Sequence, residues 1–561
     1  MASQFSIFLN IKKRMKNWTL FFLLIIFLLG TFLRFWQLAD YPVHLTIDEV
    51  AVGYDSFSLL KTARDEHGAF LPLAFESTGD WKPPILFYLT VPSILVFGMS
   101  EFGVRFPLAL IGSLIPWLAF LIIRRLTKND LLGLFTSFSL AISPWLIHFS
   151  RISHDSVLGL FFVLLGVWLF LKAIEEKEKL LLLSAFSFAL SMYSCHAERI
   201  FTPLLVLGLA LIYRKKIWLK RKQAFFAFIL GFLLLLPLGL LMAGPQGQRR
   251  AQMTFLSQDI EISRELHSAN QKLSLTETIL DNNFLILGNF WLKRYLNYWD
   301  PNFLFFKGMK LSLPGAPDIG LFHLFEFPFF VLGLGLLFFK KGIFNKKTKM
   351  VIIIWLLLGP IAASFANNEQ HASRSLTTIP MPQLMVALGL FYVFKEFIQK
   401  NFKRIIIFCL VISGVVLFSL FYYFDLYYLH YPVQFSEYFD YGYKELSLYA
   451  WEHQREYQEI IVDYNFGTLG PYITGVPHLY ALFYGQYDPL LYQKRPDFQS
   501  NNFANFTFRP IYWPEDRGKK QTLFMGSPWS LPPKDLQDEQ ILKKVYFKNG
   551  ELGFLVVKSE D

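Results

Sequence analysis

Apolar runs near the length that crosses a hydrocarbon core of roughly 30 Å recur from one end of this chain to the other, separated by short polar links. That recurrence restricts the fold to an all-α polytopic membrane protein. Composition agrees: of 561 residues, 53% are hydrophobic, 18% aromatic and 17% charged, against about a quarter charged in soluble domains. The formal net charge of +11 would suit nucleic-acid binding in a soluble chain. Here the basic residues crowd into links between apolar runs, as the positive-inside rule requires. The surroundings are therefore membrane lipids, and no nucleic-acid partner is expected. The two cysteines, Cys195 and Cys409, can build neither a disulfide framework nor a CxxC metal site.

The links set a direction for each run. Lys12, Lys13, Arg14 and Lys16 precede the run 18–38, which is longer than a signal-peptide core and lacks a clear small-residue cleavage site, so it reads as a retained helix running outward. Residues 40–84 then form the first outer loop. The segment 85–97 is short and contains Pro92, which suits an interfacial helix better than a full span. Further runs at 102–123, 131–149, 157–171, 180–193, 201–213, 224–243, 321–339, 351–365, 377–394 and 405–424 bring the expected total to about eleven spans. The lysine-rich links, strongest at 214–222, fall on one side; the turns 151–155, 196–199 and 367–374 and the long loop 244–320 fall on the other. The domain reading is a transmembrane region over 1–430 and a small extracytoplasmic α/β domain over 431–561, with an amphipathic helix at 437–451 and strands at 459–464, 522–525, 543–547 and 553–558.

The chemistry-bearing residues gather in the outer turns. Residues 46–84 open on adjacent carboxylates, Asp48 and Glu49, followed by Val52-Gly53-Tyr54, and close on Lys82-Pro83-Pro84. A carboxylate at a low-dielectric surface can act as a general base toward a hydroxyl or amine; a solvated loop pair is the plainer alternative. Asp155 is either a helix-N-terminal acid favoured by the dipole or part of a site, and His154 reads as a surface or packing residue. Ionisable groups at membrane helix ends, such as His196, Glu198 and Arg199, are costly and usually functional. Arg199 could bind a phosphate in bidentate fashion or pair with Glu198; Arg374, before a span, is a second phosphate candidate. Arg105 is expected to partner an acid of the first loop. A divalent metal among Asp48, Glu49 and Asp155 is left open, since hard cations prefer oxygen ligands. Asn505-Phe506-Thr507 fits a glycosylation sequon that also arises often by chance. There is no Walker or Rossmann glycine fingerprint.

TIDEVAVGY after a first helix, KPP before a short apolar segment, and EFGVRFPLALIGSL opening the next span resemble the family 39 glycosyltransferases. That family includes the protein O-mannosyltransferases and the bacterial lipid A aminoarabinose transferases, with the GT-C membrane fold. SRISHDSVLGLFF and HAERIFTPLL sit where the family has its outer-turn motifs, so the likeness covers about residues 32–203. The resemblance implies transfer of a sugar from a polyprenyl-phosphate-linked donor to a protein, lipid or glycan acceptor, with inversion, at the outer face of a bacterial cytoplasmic membrane. It makes Asp48 the general base and Glu49 the residue that orients it or the acceptor. Beside these two, Tyr54, Lys82, Asp155, Arg199 and Arg374 are the residues expected to contact substrate. Lys82 departs from the histidine often found before Pro-Pro in the mannosyltransferases. The competing class is a transporter or flippase of a lipid-linked saccharide, which would place its site near the midplane; the span interiors here hold few ionisable groups.

Overall fold

A computed structural model describes residues 2–245, 247, 249, 256, 259–269, 283–309, 319–367, 370–398, 402–495 and 500–559. Parts of the expected 244–320 loop and residues 368–369 of the expected turn 367–374 lie outside the described residues. The chain opens with α1 (Ala2–Phe35), α2 (Ile47–Thr62), the hairpin β1 (Phe75–Ser77) and β2 (Asp80–Lys82), α3 (Ile85–Phe97) and α4 (Glu101–Thr127). Then come α5 (Asp130–Ile142), α6 (Pro144–Arg151), α7 (Asp155–Glu175), α8 (Leu180–Ser194), α9 (Glu198–Leu219) and α10 (Arg221–Ala243).

Two compact units emerge. A helical unit comprises Met1–Trp36, Leu108–Ser150 and His154–Tyr423; a mixed unit comprises Gln37–Pro107, Arg151–Ser153 and Phe424–Asp561. The expected division at residue 431 therefore differs from the contact pattern, because the segment 37–107 packs with the C-terminal region. The apolar residues of α2 supply the reason: Val50, Ala51 and Tyr54 are buried in one core with Tyr443, Leu446, Tyr480 and Phe483.

In the helical unit, backbone donors and acceptors in lipid must be satisfied within the segment, which is why apolar runs become helices. Among the described residues, six helices are long and apolar enough to cross a membrane: Asn17–Phe35, Glu101–Thr127, Asp155–Glu175, Arg221–Ala243, Lys346–Ser364 and Lys403–Phe435. A seventh arises if α5 and α6, bent by 52° at their junction, form one broken span. The expectation of about eleven spans exceeds this count, which takes only described helices of sufficient length and apolarity. The apolar helices Leu180–Ser194 and Glu326–Phe339 have 15 and 14 residues, and at 1.5 Å per residue they reach only about 21–23 Å. Arg34, fully buried near the end of α1, ties that helix to α5 by donating to Leu140 O and Ala141 O at 3.3 and 3.1 Å.

In the mixed unit a five-stranded sheet runs in the order β6-β3-β7-β9-β8. Its strands are β3 (Glu459–Val462), β6 (Phe506–Phe508), β7 (Thr522–Gly526), β8 (Ile541–Tyr546) and β9 (Leu552–Lys558), and a separate hairpin pairs β4 (Asn465–Phe466) with β5 (Ile473–Thr474). β3 is parallel to β6 and β7, whereas β7–β9 and β8–β9 are antiparallel. Ile461, Phe524, Leu555 and Val557 fill one face with Trp513; Ile460, Val462, Leu523 and Val556 fill the other. A helix at Tyr443–Glu452 covers that second face. The segment 46–84, read from sequence as a polar loop, is instead a helix and a hairpin. Acids and serines along α2 hid its period.

Candidate functional site

The acid pair lies at the first turn of α2. Thr46 caps the helix in a reciprocal box: its Oγ1 accepts from Glu49 N at 3.2 Å, and its own N donates to Glu49 Oε2 at 2.9 Å. Such boxes satisfy two orphan amides at once. Arg105 Nε donates to Glu49 Oε1 at 2.7 Å, with both side chains wholly buried. The same guanidinium donates to Leu38 O, Pro42 O and His44 O at 3.1, 2.9 and 2.6 Å. Arg105 thus gathers the chain that leads into α2, and Glu49 holds it there. Both Glu49 oxygens are engaged, so this carboxylate fixes the turn.

Asp48, one residue earlier, points to the other side. Its side chain is 58% exposed, and Lys82 Nζ lies 2.9 Å from its Oδ1 and 3.5 Å from Asp80 Oδ2. The β1–β2 hairpin carries Lys82 there; its turn uses Thr78 and Gly79 at φ 48° and 79°, the left-handed pair that suits a two-residue hairpin. Acids in the first turn also face the positive end of the helix dipole. The carboxylates of one dipeptide therefore have opposite fates, one buried and paired, one presented beside a lysine.

Tyr54, expected to touch substrate, is corrected: it is fully buried and donates to Tyr487 O at 3.2 Å. Its place about one and a half turns beyond the acid pair puts it in the core of the mixed unit. Asn505 of the sequon donates its amide to Gln454 O and Tyr457 O at 3.1 and 3.0 Å, so it works as a loop clamp.

The helical unit holds the remaining candidates. Asp155 begins α7 behind an N-cap at His154, whose Nδ1 lies 3.0 Å from Asp155 Oδ1 and accepts from Ser156 N. Glu198 opens α9 and is buried against Gly159 of α7, where a Cβ would come within 2.7 Å of its Oε1; only glycine leaves room for that carboxylate. Arg199 does not pair with Glu198, and its Nε donates to Met192 O at 3.2 Å. Arg374 sits on a loop pinned at several points. Trp145 Nε1 donates to Ala372 O at 2.8 Å, His371 N donates to Tyr298 Oη at 3.1 Å, and the Ser373 hydroxyl meets His371 Nδ1 at 2.8 Å. Arg374 Nη1 is buried with no hydrogen-bond partner among the described residues. Asp155 interacts electrostatically with both Arg199 and Arg374. Burial, then the Arg374 charge, drives the His371 pKa down to about 3, so the imidazole is neutral. Two guanidiniums near one exposed-edge carboxylate, one of them with an unused buried donor, make a setting that can take an anionic oxygen.

Among the described residues, no three His, Cys, Asp or Glu side chains gather as a metal-binding group. Glu49, one of the three ligands considered from sequence, has both oxygens committed elsewhere. Sequence reasoning passed over Arg34 and Arg151, both fully buried. Arg151 donates to Gln37 O and Tyr41 O at 3.1 and 2.9 Å and lies over the Tyr427 and Tyr428 rings. Buried arginines at the ends of apolar runs were the signal.

Residues 81–240 match the family model described as dolichyl-phosphate-mannose-protein mannosyltransferase. A stretch of 105 residues is 34% identical to the putative mannosyltransferase YkcB of Bacillus subtilis (strain 168), covering 19% of this chain and 14% of that protein. Among solved structures, ArnT from Cupriavidus metallidurans in the apo state aligns over 97% of this chain and 98% of its own, at 11% identity and a TM-score of 0.51. The archaeal oligosaccharyltransferase AglB from Archaeoglobus fulgidus, in complex with an inhibitory peptide and a dolichol-phosphate, aligns at 15% identity and a TM-score of 0.51. That alignment covers 80% of this chain and 62% of AglB, so the chain spans less than two thirds of that relative. The fold is of the GT-C type, a multi-pass membrane architecture with a small C-terminal sheet region.

Proposed function

We propose that this GT-C protein is an integral-membrane glycosyltransferase that moves a sugar from a polyprenyl-phosphate donor to an acceptor at the outer face of the cytoplasmic membrane, with inversion. The observation that carries the reading is the presentation of Asp48: an exposed carboxylate on a helix turn locked by the Glu49–Arg105 pair. A base must be held in place and still reach its proton. Asp48 takes the proton from the acceptor hydroxyl or amine as that atom attacks the anomeric carbon. The carbon–oxygen bond to the phosphate breaks, and the leaving group departs as polyprenyl phosphate. Glu49 positions Asp48, and Lys82 beside it keeps the carboxylate oriented.

The leaving phosphate gathers charge, which preorganised cations stabilise best in a water-poor setting. Arg374 and Arg199, with Asp155 balancing them, are assigned that task. AglB, of the same fold, has been solved with a dolichol-phosphate, which supports a lipid-linked donor. The test is transfer from radiolabelled polyprenyl-phosphate sugars in membranes carrying wild type or Asp48→Asn. The amide keeps size and removes the base, so transfer falls by roughly 10²–10⁴ at equal inserted protein. Equal transfer by both proteins would remove Asp48 as base. Movement of labelled lipid across vesicles with no transfer would favour a flippase.

A further inference from the structure

A second site lies at the far end of α2, wholly within the mixed unit. A cavity of 420 Å³ is lined by the loop after α2, the β1–β2 turn, and the segments 474–479 and 501–508. Its size falls within the roughly 300–1,000 Å³ of small-ligand sites. α2 has 16 residues, about 24 Å at 1.5 Å per residue, and that length separates Asp48 from the loop bearing Glu66.

Glu66 is the key group. It lines the cavity at 5% exposure, and its Oε2 has no hydrogen-bond partner among the described residues. Its Oε1 lies 3.5 Å from His67 Nε2, and its backbone N donates to Asp55 Oδ1 at 2.8 Å. An unpaired buried carboxylate oxygen costs free energy unless a ligand or water uses it. Glu76 adds a second carboxylate to the lining, whose described residues include no lysine or arginine; the Arg495 guanidinium lies behind it, 3.8 Å over the Tyr492 ring. His478 offers no compensating charge, because burial lowers its pKa to about 3. Tyr464 and Phe508 supply flat apolar faces, and Asn501 an amide. Carboxylate and amide groups beside aromatic rings suit a ring with hydroxyls on its edges and C–H groups on its faces.

We propose that this cavity binds the ring of a hexopyranoside, with Glu66 accepting hydrogen bonds from its hydroxyls and the aromatic side chains covering its face. The inference rests on the transferase reading in one respect: the bound ring is then part of an acceptor glycan long enough to reach from here to the Asp48 turn. Saccharide chains growing away from a membrane would meet that requirement.

Saturation-transfer NMR on the full chain in nanodiscs tests it, with methyl glycosides of glucose, mannose, galactose, N-acetylglucosamine and glucosamine as probes and methyl phosphate as the anionic control. At least one glycoside gives a signal and methyl phosphate gives none. Tyr464→Ala and Glu66→Gln each weaken that binding about tenfold or more. Asn501→Trp, which fills the space without touching the buried acid, does the same if Glu66→Gln disturbs folding. Absence of signal from every glycoside overturns the proposal, as does binding that survives both Tyr464→Ala and Asn501→Trp. Transfer from the lipid donor with no glycoside bound sinks the cavity and leaves the transferase. A bound glycoside with no transfer from any donor sinks the transferase reading and keeps the cavity.

Discussion

Glu49 in the first turn of α2 and Glu66 just beyond its end are both buried, and the fold treats them in opposite ways. Glu49 has a guanidinium on one oxygen and a capped amide on the other. Glu66 keeps one oxygen without a partner among the described residues, against a cavity. Burial alone therefore does not separate structure from function; the completeness of pairing does. A charge buried with all its partners holds the chain in place, whereas one buried with a vacancy waits for something to fill it.

The largest expected effect tests the paired end. Glu49→Ala leaves Arg105 buried without its counter-ion, which costs about 3–5 kcal/mol; thermal unfolding in detergent reads it. Replacing both partners together by methionine costs much less, since no unpaired charge remains. Should the single and double variants unfold alike, the pair is not the clamp described here.

The unpaired end behaves differently with pH. Burial holds the Glu66 pKa up at about 7 against an ordinary 4.5, with Asp65 and Glu76 adding to the rise and His67 and Arg495 opposing it. A raised carboxylate pKa means that the fold disfavours the charged form. This contribution to stability is complete below about 4.5 and declines as pH climbs to about 7. Glu66→Gln removes that decline, so the variant gains on wild type as pH rises from about 5 to 8. Parallel stability–pH curves for the two proteins would contradict the assignment.

Thr46→Ala sharpens the comparison on a smaller scale. It removes one arm of the capping box and costs about 1 kcal/mol, visible as a lowered unfolding temperature with Glu49 and Arg105 still paired. The smallest effect belongs to Lys82→Ala. Asp48 is largely exposed, so its ion pair contributes within about 1 kcal/mol and stability hardly moves. A large loss of stability there would make Lys82 a structural residue.

Much of this was legible in the residues. Local chemistry marked Asp48-Glu49 as adjacent acids after an apolar run, and the charge distribution made the chain a multi-pass membrane protein. Four of the five strands of the main sheet could be located from alternating or continuous apolar runs such as Glu459–Val462. Other features could not be read this way. The helix Ile47–Thr62 was hidden because both its faces are buried, leaving no amphipathic stripe to count. Span number could not be read from apolarity alone, which sets that a run enters lipid, while helix length and bends set which described helices are long enough to cross. Tyr54 looked like a ligand contact because nothing local announces a core hundreds of residues away in sequence.

Sequence by itself determined the environment of this protein, since hydrophobic length and basic links are sums over neighbouring residues and need no fold to be evaluated. It also marked which residue types could carry acid–base and phosphate chemistry. Only the tertiary structure decided which carboxylate of the pair is spoken for, because Arg105 reaches Glu49 across 56 positions of chain. The cavity beside Glu66 was decided there too: its walls come from segments some 400 residues apart, and an unpaired oxygen is defined by what the fold fails to bring to it.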